Sequence, residues 1–454
     1  MTMDSSLISK YNVAAPRYTS YPTVPYWDKE APDTTRWKAE VIRTFSESNG
    51  KQGISLYIHL PFCESLCTYC GCNTRITVNH KVEEPYISTV LKEWKLYCDL
   101  FPEKPKIREI HLGGGTPTFF SAANLSRLIK GILADADLYP GFEFGFEAHP
   151  GNTTNEHLEI LFNLGFRRVS FGIQDFDPVV QDVINRRQSF AQVKQITEAA
   201  RRIGYTSINY DLIYGLPLQT LAGVTNTVEK VRQLRPDRIA FYSYAHVPWI
   251  KPGQRKFTEL DLPDGEEKRR LYEKGRKMLE EAGYRDIGMD HFSLKSDSLF
   301  SAMESGTLHR NFMGYTVSAT KLMIGLGVSS ISDSWHAFAQ NAKVVEAYQD
   351  LVNKGVFPVT RGHFLTQEDQ VLRNHILNLM CRMKTTWKVQ EQCDVLSGGI
   401  ERLKSLEDDK LVRLRPFEIE VTDLGKSFLR NICMALDARL WQEKPATELF
   451  STTA

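Results

Sequence analysis

Four of the chain's eight cysteines, Cys63, Cys67, Cys70 and Cys72, crowd into one short segment. The core spacing is C-x3-C-x2-C. Three thiolates this close in one loop can converge on a small polynuclear cluster. A [4Fe–4S] cube normally takes four cysteine ligands. A loop that supplies three leaves one iron open to a substrate or cofactor, as in other catalytic metal sites. Structural zinc is the competing reading, but zinc usually takes two well-separated ligand pairs, and the sequence offers no second pair. Cys72 is ambiguous. It is a ligand by type, yet it lies so near Cys70 that sharing one cube would strain the loop, and Gly71 suggests a tight turn that aims it elsewhere. Cys98, Cys381, Cys393 and Cys433 are scattered. A disulfide scaffold would spread its cysteines over a short secreted chain, so metal is the better account.

Other polar residues fall where they could serve a bound cofactor. Gly113, Gly114 and Gly115 precede Thr116, and three glycines let a ligand approach the backbone and its amide donors. Glu147 could accept hydrogen bonds from a ribose. Gln174 and Asp211 also fall at strand ends, and Arg186 could fork onto a carboxylate. Taken singly, each reads as a capping or solvated residue. As a set at successive strand ends they read as a pocket. Tyr57, Ala245 and Ile331 read as ordinary core residues from their bulk alone.

The elements that must position these groups alternate. Apolar, β-branched and aromatic runs predict strands at Ile54–Leu60, Ile107–Leu112, Phe142–Glu147, Arg168–Ile173, Ser207–Ile213 and Arg238–Tyr244. Helical spacing fills the gaps, as in the stripe Val193, Ile196, Ala200 and Ile203. Gly165, Gly204 and Gly283 each precede an aromatic and a strand, the pattern of a helix stop. Strands alternating with helices imply a parallel sheet, and right-handed crossovers would roll six such units into a partial barrel. Residues 1–50 read as an N-terminal extension with a helix around Thr34–Ser46. Residues 51–359 read as the barrel and its extension. Near 360 the pattern changes. Helices at Thr366–Met383 and Ile400–Leu406, short strands at Lys410–Arg413 and Glu418–Thr422, and a helix at Gly425–Leu440 make a small winged-helix-like domain over 360–454.

Composition sets bounds. The 454 residues carry a net charge of +1, with 42% apolar and 24% charged residues, ordinary for a soluble protein. That balance gives no reason to expect a nucleic acid or a membrane surface as partner. No apolar run approaches the roughly 20 residues that span a bilayer, and no signal peptide is evident, so a cytoplasmic location is expected.

The cysteine loop after a strand, with Tyr69 before its third cysteine, resembles the radical S-adenosylmethionine superfamily. Longer stretches narrow the likeness: KYNVAAPRYTSYPT, LYIHLPFCESLCTYCGCN, HLGGGTPT, SFGIQDFD, INRR, DLIYGLP, FYSYAHVP, IGMDHF, LHRNFMGYT, FAQN and RNICM. From residue 11 to about 440 the chain resembles the oxygen-independent coproporphyrinogen III oxidases. The resemblance implies an α/β fold, a partial (β/α)6 TIM-like radical S-adenosylmethionine barrel. It implies a [4Fe–4S] cluster on Cys63, Cys67 and Cys70, with Cys72 near the chemistry. It also implies two S-adenosylmethionine molecules per chain. Tyr57, Gly114, Glu147 and Ile331 match positions contacting the first. Gly115, Thr116, Gln174, Arg186, Asp211 and Ala245 match positions contacting the second, and Tyr69 matches a further cofactor contact. One departure is Ala148-His149-Pro150-Gly151, where other members carry an acidic residue; it bears on the pocket beside Glu147. The implied substrate is coproporphyrinogen III, with an external donor of flavodoxin or ferredoxin type and a monomeric state. Arg17, Arg310 and Arg187 are then candidates for gripping propionates. A haem chaperone and a haem-degrading radical methyltransferase share the core motif, but related chaperones lack the RYTSYPT segment and Cys72, and RYTSYPT counts against the methyltransferase as well.

Overall fold

The computed structural model describes residues 5–443; residues 1–4 of the expected extension and 444–454 of the expected C-terminal domain lie outside the described residues. Six parallel strands form the heart of the fold: β1 (Ile54–Leu60), β2 (Lys106–Gly114), β3 (Asp137–Ala148), β4 (Phe166–Gln174), β5 (Ser207–Tyr214) and β6 (Arg238–Ser243). Helices Glu83–Cys98, Ala122–Ala134, Asn155–Asn163, Phe190–Ile203 and Leu221–Leu234 join them in turn. This is the expected (β/α)6 arrangement.

Six more strands extend the same sheet to twelve, and the sequence reading had none of them. On one edge lie β7 (Arg285–Gly288) and β8 (His291–Ser293). On the other lie β11 (Met323–Leu326), β12 (Ile331–Asp333), β13 (Ala337–Asn341) and β14 (Val359–Phe364). A separate hairpin, β9 (His309–Asn311) with β10 (Gly314–Thr316), pairs Arg310 opposite Tyr315. The two outermost strands, β14 and β7, do not pair with each other, so the barrel stays open.

Alternation along the strands divides the two faces. Leu56, Ile58, Ile110, Leu112, Phe144, Phe146, Val169, Phe171, Ile208, Tyr210 and Ile239 are fully or almost fully buried under the helices. The opposite face is polar and lines a lumen. There Glu109 pairs with Glu143 across β2–β3, Gly145 with Arg168, Ser170 with Asn209, and Asp211 with Ala240. Gly145 is required by packing, since a Cβ there would meet the Arg168 guanidinium at 2.8 Å. The helix stops behave as expected. Gly165, Gly204 and Gly283 all have positive φ, and Phe166, Tyr205 and Tyr284 are buried beside them.

After β14 come helices Gln367–Arg382 and Asp394–Asp408 and a three-stranded antiparallel sheet, Lys384–Thr386, Glu418–Val421 and Val412–Arg415. The expected final helix is broken into a short turn, Leu429–Leu436 and Ala438–Gln442. Tyr11, Tyr18 and Tyr21 from the start of the chain belong to the same apolar core as Leu372, Ile376, Leu403 and Ile432. Tyr18 donates to Asp437 at 3.0 Å, and Asn431 donates to the Tyr11 carbonyl at 2.9 Å.

Candidate active site

The end of β1 runs straight into the cysteine loop, and other segments hold that loop by its backbone. Thr68 donates its amide to Ile184 and its hydroxyl to Val183. Asn185 donates to the Leu66 carbonyl, Gln254 to Tyr69, Lys251 to Cys72, and the His59 ring bonds the Asn73 carbonyl. With the carbonyls tied outward, all four thiols line a cavity of about 470 Å³ over the lumen. Among the described residues, no three His, Cys, Asp or Glu side chains close in on a single ion. The thiols surround a space, as a polynuclear cluster requires. Thr116 Oγ1 is 3.3 Å from the Cys63 sulfur, and Arg186 Nη1 donates to the Cys67 sulfur at 3.7 Å.

Cys72 is not aimed away, contrary to the tight-turn expectation. It faces the cavity beside Cys70, whose thiol it holds below the usual range by a hydrogen bond. Burial raises Cys63 to about 11.

Glu147 stands on β3 beneath the loop. Burial pushes its carboxyl up, but hydrogen bonds from His111 (3.3 Å) and the Gly114 amide (3.3 Å) outweigh it and leave it below the usual range. The glycine triplet also makes room for groups of the protein itself. Its amides are already engaged, Gly114 to Glu147 and Gly115 to the Leu60 carbonyl. A Cβ on Gly113 would press on Glu147 and Tyr57, one on Gly114 on His59, and one on Gly115 on the Pro61 carbonyl at 2.5 Å. The glycines therefore let protein groups, above all the entry to the cysteine loop, come close.

Arg186 lines the same cavity. Nε and Nη2 both bind the Gly172 carbonyl, at 3.2 and 2.5 Å, leaving Nη1 toward Cys67. Gln174 ends β4 with φ of 65° and faces the cavity. Asp211 accepts from Ser170 and Asn209 and is raised to about 6, first by burial and then by Glu147. Tyr69, Gly114, Gly115, Thr116, Glu147, Gln174, Arg186 and Asp211 thus meet in one cavity. Tyr57, Ala245 and Ile331 are not among its lining residues. Tyr57 lies behind Gly113 and bonds His59 at 3.0 Å; the Ala245 carbonyl accepts from Gln254; Ile331 is half-buried at the start of β12.

The sequence reading missed the lumen itself. His111, Arg168, Ser170, Asn209, Arg238, Tyr242 and His291 all line the cavity. Their signal was available as polar residues at every second position of strands chosen for their apolar ones. The departure stretch after Glu147 is also a cavity wall. His149 is lowered to about 3 by burial and by Arg186, so it is neutral, and its Nδ1 accepts from the Gly151 amide.

Comparisons with known proteins agree on one group. Residues 57–231 match the radical SAM superfamily model. An oxygen-independent coproporphyrinogen III oxidase from Synechocystis is 37% identical over 98% of this chain and 97% of its own length. The protein of that name from Escherichia coli is 36% identical over 97% and 96%. The solved structure of coproporphyrinogen III oxidase (HemN) from Escherichia coli, described as a radical SAM enzyme, superposes with a TM-score of 0.89 at 34% identity, covering 96% of this chain and 99% of that one.

Proposed function

The chain belongs to the family of oxygen-independent coproporphyrinogen III oxidases, and on that premise we propose that it oxidatively decarboxylates coproporphyrinogen III to protoporphyrinogen IX in haem biosynthesis. The propionates of rings A and B become vinyl groups. The observation that carries the reading is the convergence of Cys63, Cys67 and Cys70 on one polar-walled cavity, in a chain that matches these oxidases over nearly its whole length.

The donor set fits a [4Fe–4S] cluster. Three thiols share one space, and the Thr116 hydroxyl and Arg186 Nη1 reach two of the sulfurs, where such contacts tune a cluster. With S-adenosylmethionine, a cluster held there would supply hydrogen-atom abstraction at a propionate β-carbon, and the substrate radical would lose carbon dioxide as it passes one electron to an external acceptor. The chain's residues hold and orient. Cys63, Cys67 and Cys70 ligate. Cys72, next to Cys70 and facing the cavity, positions substrate or relays a proton. Glu147, kept ionised by His111 and the Gly114 amide, accepts from a ribose. With Gly114, Tyr57 and Ile331 it serves a first S-adenosylmethionine. Gly115, Thr116, Gln174, Arg186, Asp211 and Ala245 serve a second, with Tyr69 beside them. The catalytic unit is 51–359, preceded by an N-terminal extension, 1–50, and followed by a small C-terminal domain, 360–454. A monomer in the cytoplasm, fed by a flavodoxin- or ferredoxin-like donor, completes the reading; no helix among the described residues is long and apolar enough to cross a membrane.

The test is anaerobic incubation of reconstituted protein with coproporphyrinogen III, S-adenosylmethionine and a reductant. Protoporphyrinogen IX should form, with two S-adenosylmethionine molecules cleaved per substrate. Ser at 63, 67 or 70 should abolish stable cluster assembly, and Ser at 72 should keep it. An intact porphyrin with tight haem binding would favour a chaperone instead.

A further inference from the structure

Behind the part of the cavity wall formed by Tyr242, His291 and Tyr315, the protein gathers buried positive charge. Arg17, Lys268, Arg310 and Arg430 all act electrostatically on one buried carboxylate, Asp290. Three of the cations are bound by carbonyls: Arg17 donates to Ser243 at 2.6 Å, Lys268 to Tyr244 at 3.1 Å, and Arg430 to Ala15 and Pro16. Carbonyls satisfy hydrogens but cancel no charge. The neighbouring acid Asp286 is turned to the Gly288 amide at 2.9 Å. Burial and the adjacent arginines lower Lys268 to about 8.

Arg310 is the outlier. It is 6% exposed, and its Nε and Nη1 are buried with no acceptor. No carboxylate lies within ion-pair distance among the described residues. Its one contact of note is the face of Tyr315, 4.7 Å from the guanidinium carbon, and Tyr315 lines the cavity. Arginine cannot escape burial by losing its proton. A buried guanidinium without a direct ion pair or hydrogen-bond acceptor is costly, and Asp290, the acid on which Arg310 acts, makes no ion pair with it. An anion from outside can make one.

We propose that Arg310, with Arg17 beside it, is the anchor for a carboxylate of the substrate that survives the reaction. The inference rests on the reading above and adds residues to it. Two arguments select a surviving propionate. First, Arg310 stacks behind Tyr315, a wall residue of the cavity, whereas the thiols line the cavity directly from the cysteine loop. Second, a forked ion pair stabilises a carboxylate in its charged form. A group about to leave as carbon dioxide must give up that charge, so such a grip opposes decarboxylation. The guanidinium at the thiol end, Arg186, already has two nitrogens on Gly172, and Arg168 and Arg238 are paired with Glu143 and Asp297.

The test uses air-stable porphyrins in absorbance titrations of the reconstituted protein. Coproporphyrin III carries all four propionates, protoporphyrin IX only the two that survive, and coproporphyrin III tetramethyl ester no free carboxylate. Arg310→Gln should weaken both acids by about ten- to a hundredfold, the size of one charge-assisted contact, and leave the ester unchanged. Arg310→Lys should recover part of the loss, and Arg17→Gln should give a smaller one. In turnover, KM for coproporphyrinogen III should rise far more than kcat falls. Unchanged acid binding in Arg310→Gln overturns the proposal. So does a loss for coproporphyrin III without one for protoporphyrin IX, which would give Arg310 to a reacting propionate. If Arg310→Gln does not fold, wild-type binding in both Arg310→Lys and Arg17→Gln overturns it equally. Wild-type protein that fails to decarboxylate coproporphyrinogen III sinks the functional reading itself, whereas turnover with unchanged Arg310→Gln binding sinks only this anchor.

Discussion

Two parts of the molecule bury arginines and treat them in opposite ways. At the base of the lumen Arg168 meets Glu143 at 2.9 Å and approaches Glu109 at 4.0 Å, while Arg238 meets Asp297 at 2.7 Å. Ser55 and Thr316 donate to the two Glu109 oxygens, and Ser207 donates to the second Asp297 oxygen. Behind Tyr315, Arg310 has neither a carboxylate nor a carbonyl. A buried charge matched on every side is scaffold. One left unmatched in an otherwise well-bonded chain is held ready for something that arrives. Glu93 shows a third solution. It has no cation near it, accepts from Gly327, Asn341 and Tyr348, and is pushed by burial up to about 7.

The largest expected effect breaks the matched region. Arg168→Met leaves Glu143 and Glu109 buried without their cation and should destabilise the fold by about 3–5 kcal/mol. Chemical unfolding reads this directly, and a loss under about 1 kcal/mol would mean the layer is not scaffold. Next is Glu93. Its folded value lies above the ordinary 4.5, so between about pH 4.5 and 7 the folded state holds a proton that the unfolded state has released. Stability contributed at this site should therefore fall as pH rises through that window, by roughly 3 kcal/mol in all. Unfolding of wild type and Glu93→Gln at pH 5 and pH 8 should show a steeper fall in wild type, since Asp211 and other raised carboxyls keep titrating in both; equal slopes would refute the assignment. Third, Arg310→Met should leave unfolding free energy unchanged or raise it by about 1 kcal/mol, the reverse of Arg168→Met. A loss of stability similar to that of Arg168→Met would erase the contrast between the two regions. Smallest is Arg187→Ala. Arg187 is 69% exposed and pairs with Asp182 at 2.5 Å. Its removal should cost under about 0.5 kcal/mol and leave the substrate KM within about twofold, which withdraws Arg187 from the propionate candidates.

How far the sequence could be read follows from where each signal resides. β1–β6 were legible because long apolar runs and Gly-aromatic stops are local features. β7–β14 were not. Most are three to five residues long, and their pairing comes from lying beside an existing sheet edge, not from a pattern of their own. The cysteine spacing disclosed its chemistry because three ligands from one loop form a short-range motif. The internal role of Gly113–Gly115 was hidden because the groups that need the space, His59, Pro61 and Glu147, belong to other strands and loops. The internal partner of Arg186 was hidden in the same way, since the Gly172 carbonyl that engages it lies on β4. Arg310 could be picked out as an arginine among aromatics. That it has no acceptor is a property of the whole fold, and only the assembled structure contains it.

The shared core of Tyr11, Tyr18 and Tyr21 with helices Gln367–Arg382, Asp394–Asp408 and Leu429–Leu436 has a consequence for biosynthesis. These tyrosines leave the ribosome before almost all of the chain that will bury them. At about 5–20 residues per second, their partners near residue 430 follow roughly 20–80 s later. The six barrel strands emerge within that interval, so the barrel can assemble while the aromatic leader stays solvated and open to chaperones. The cationic pocket behind Tyr315 gathers Arg17 from the leader, Arg310 from the hairpin and Arg430 from the last helices. It is thus among the last parts of the molecule to form, and a nascent chain stalled before residue 430 carries its cysteine loop well before it has a complete pocket for an acid.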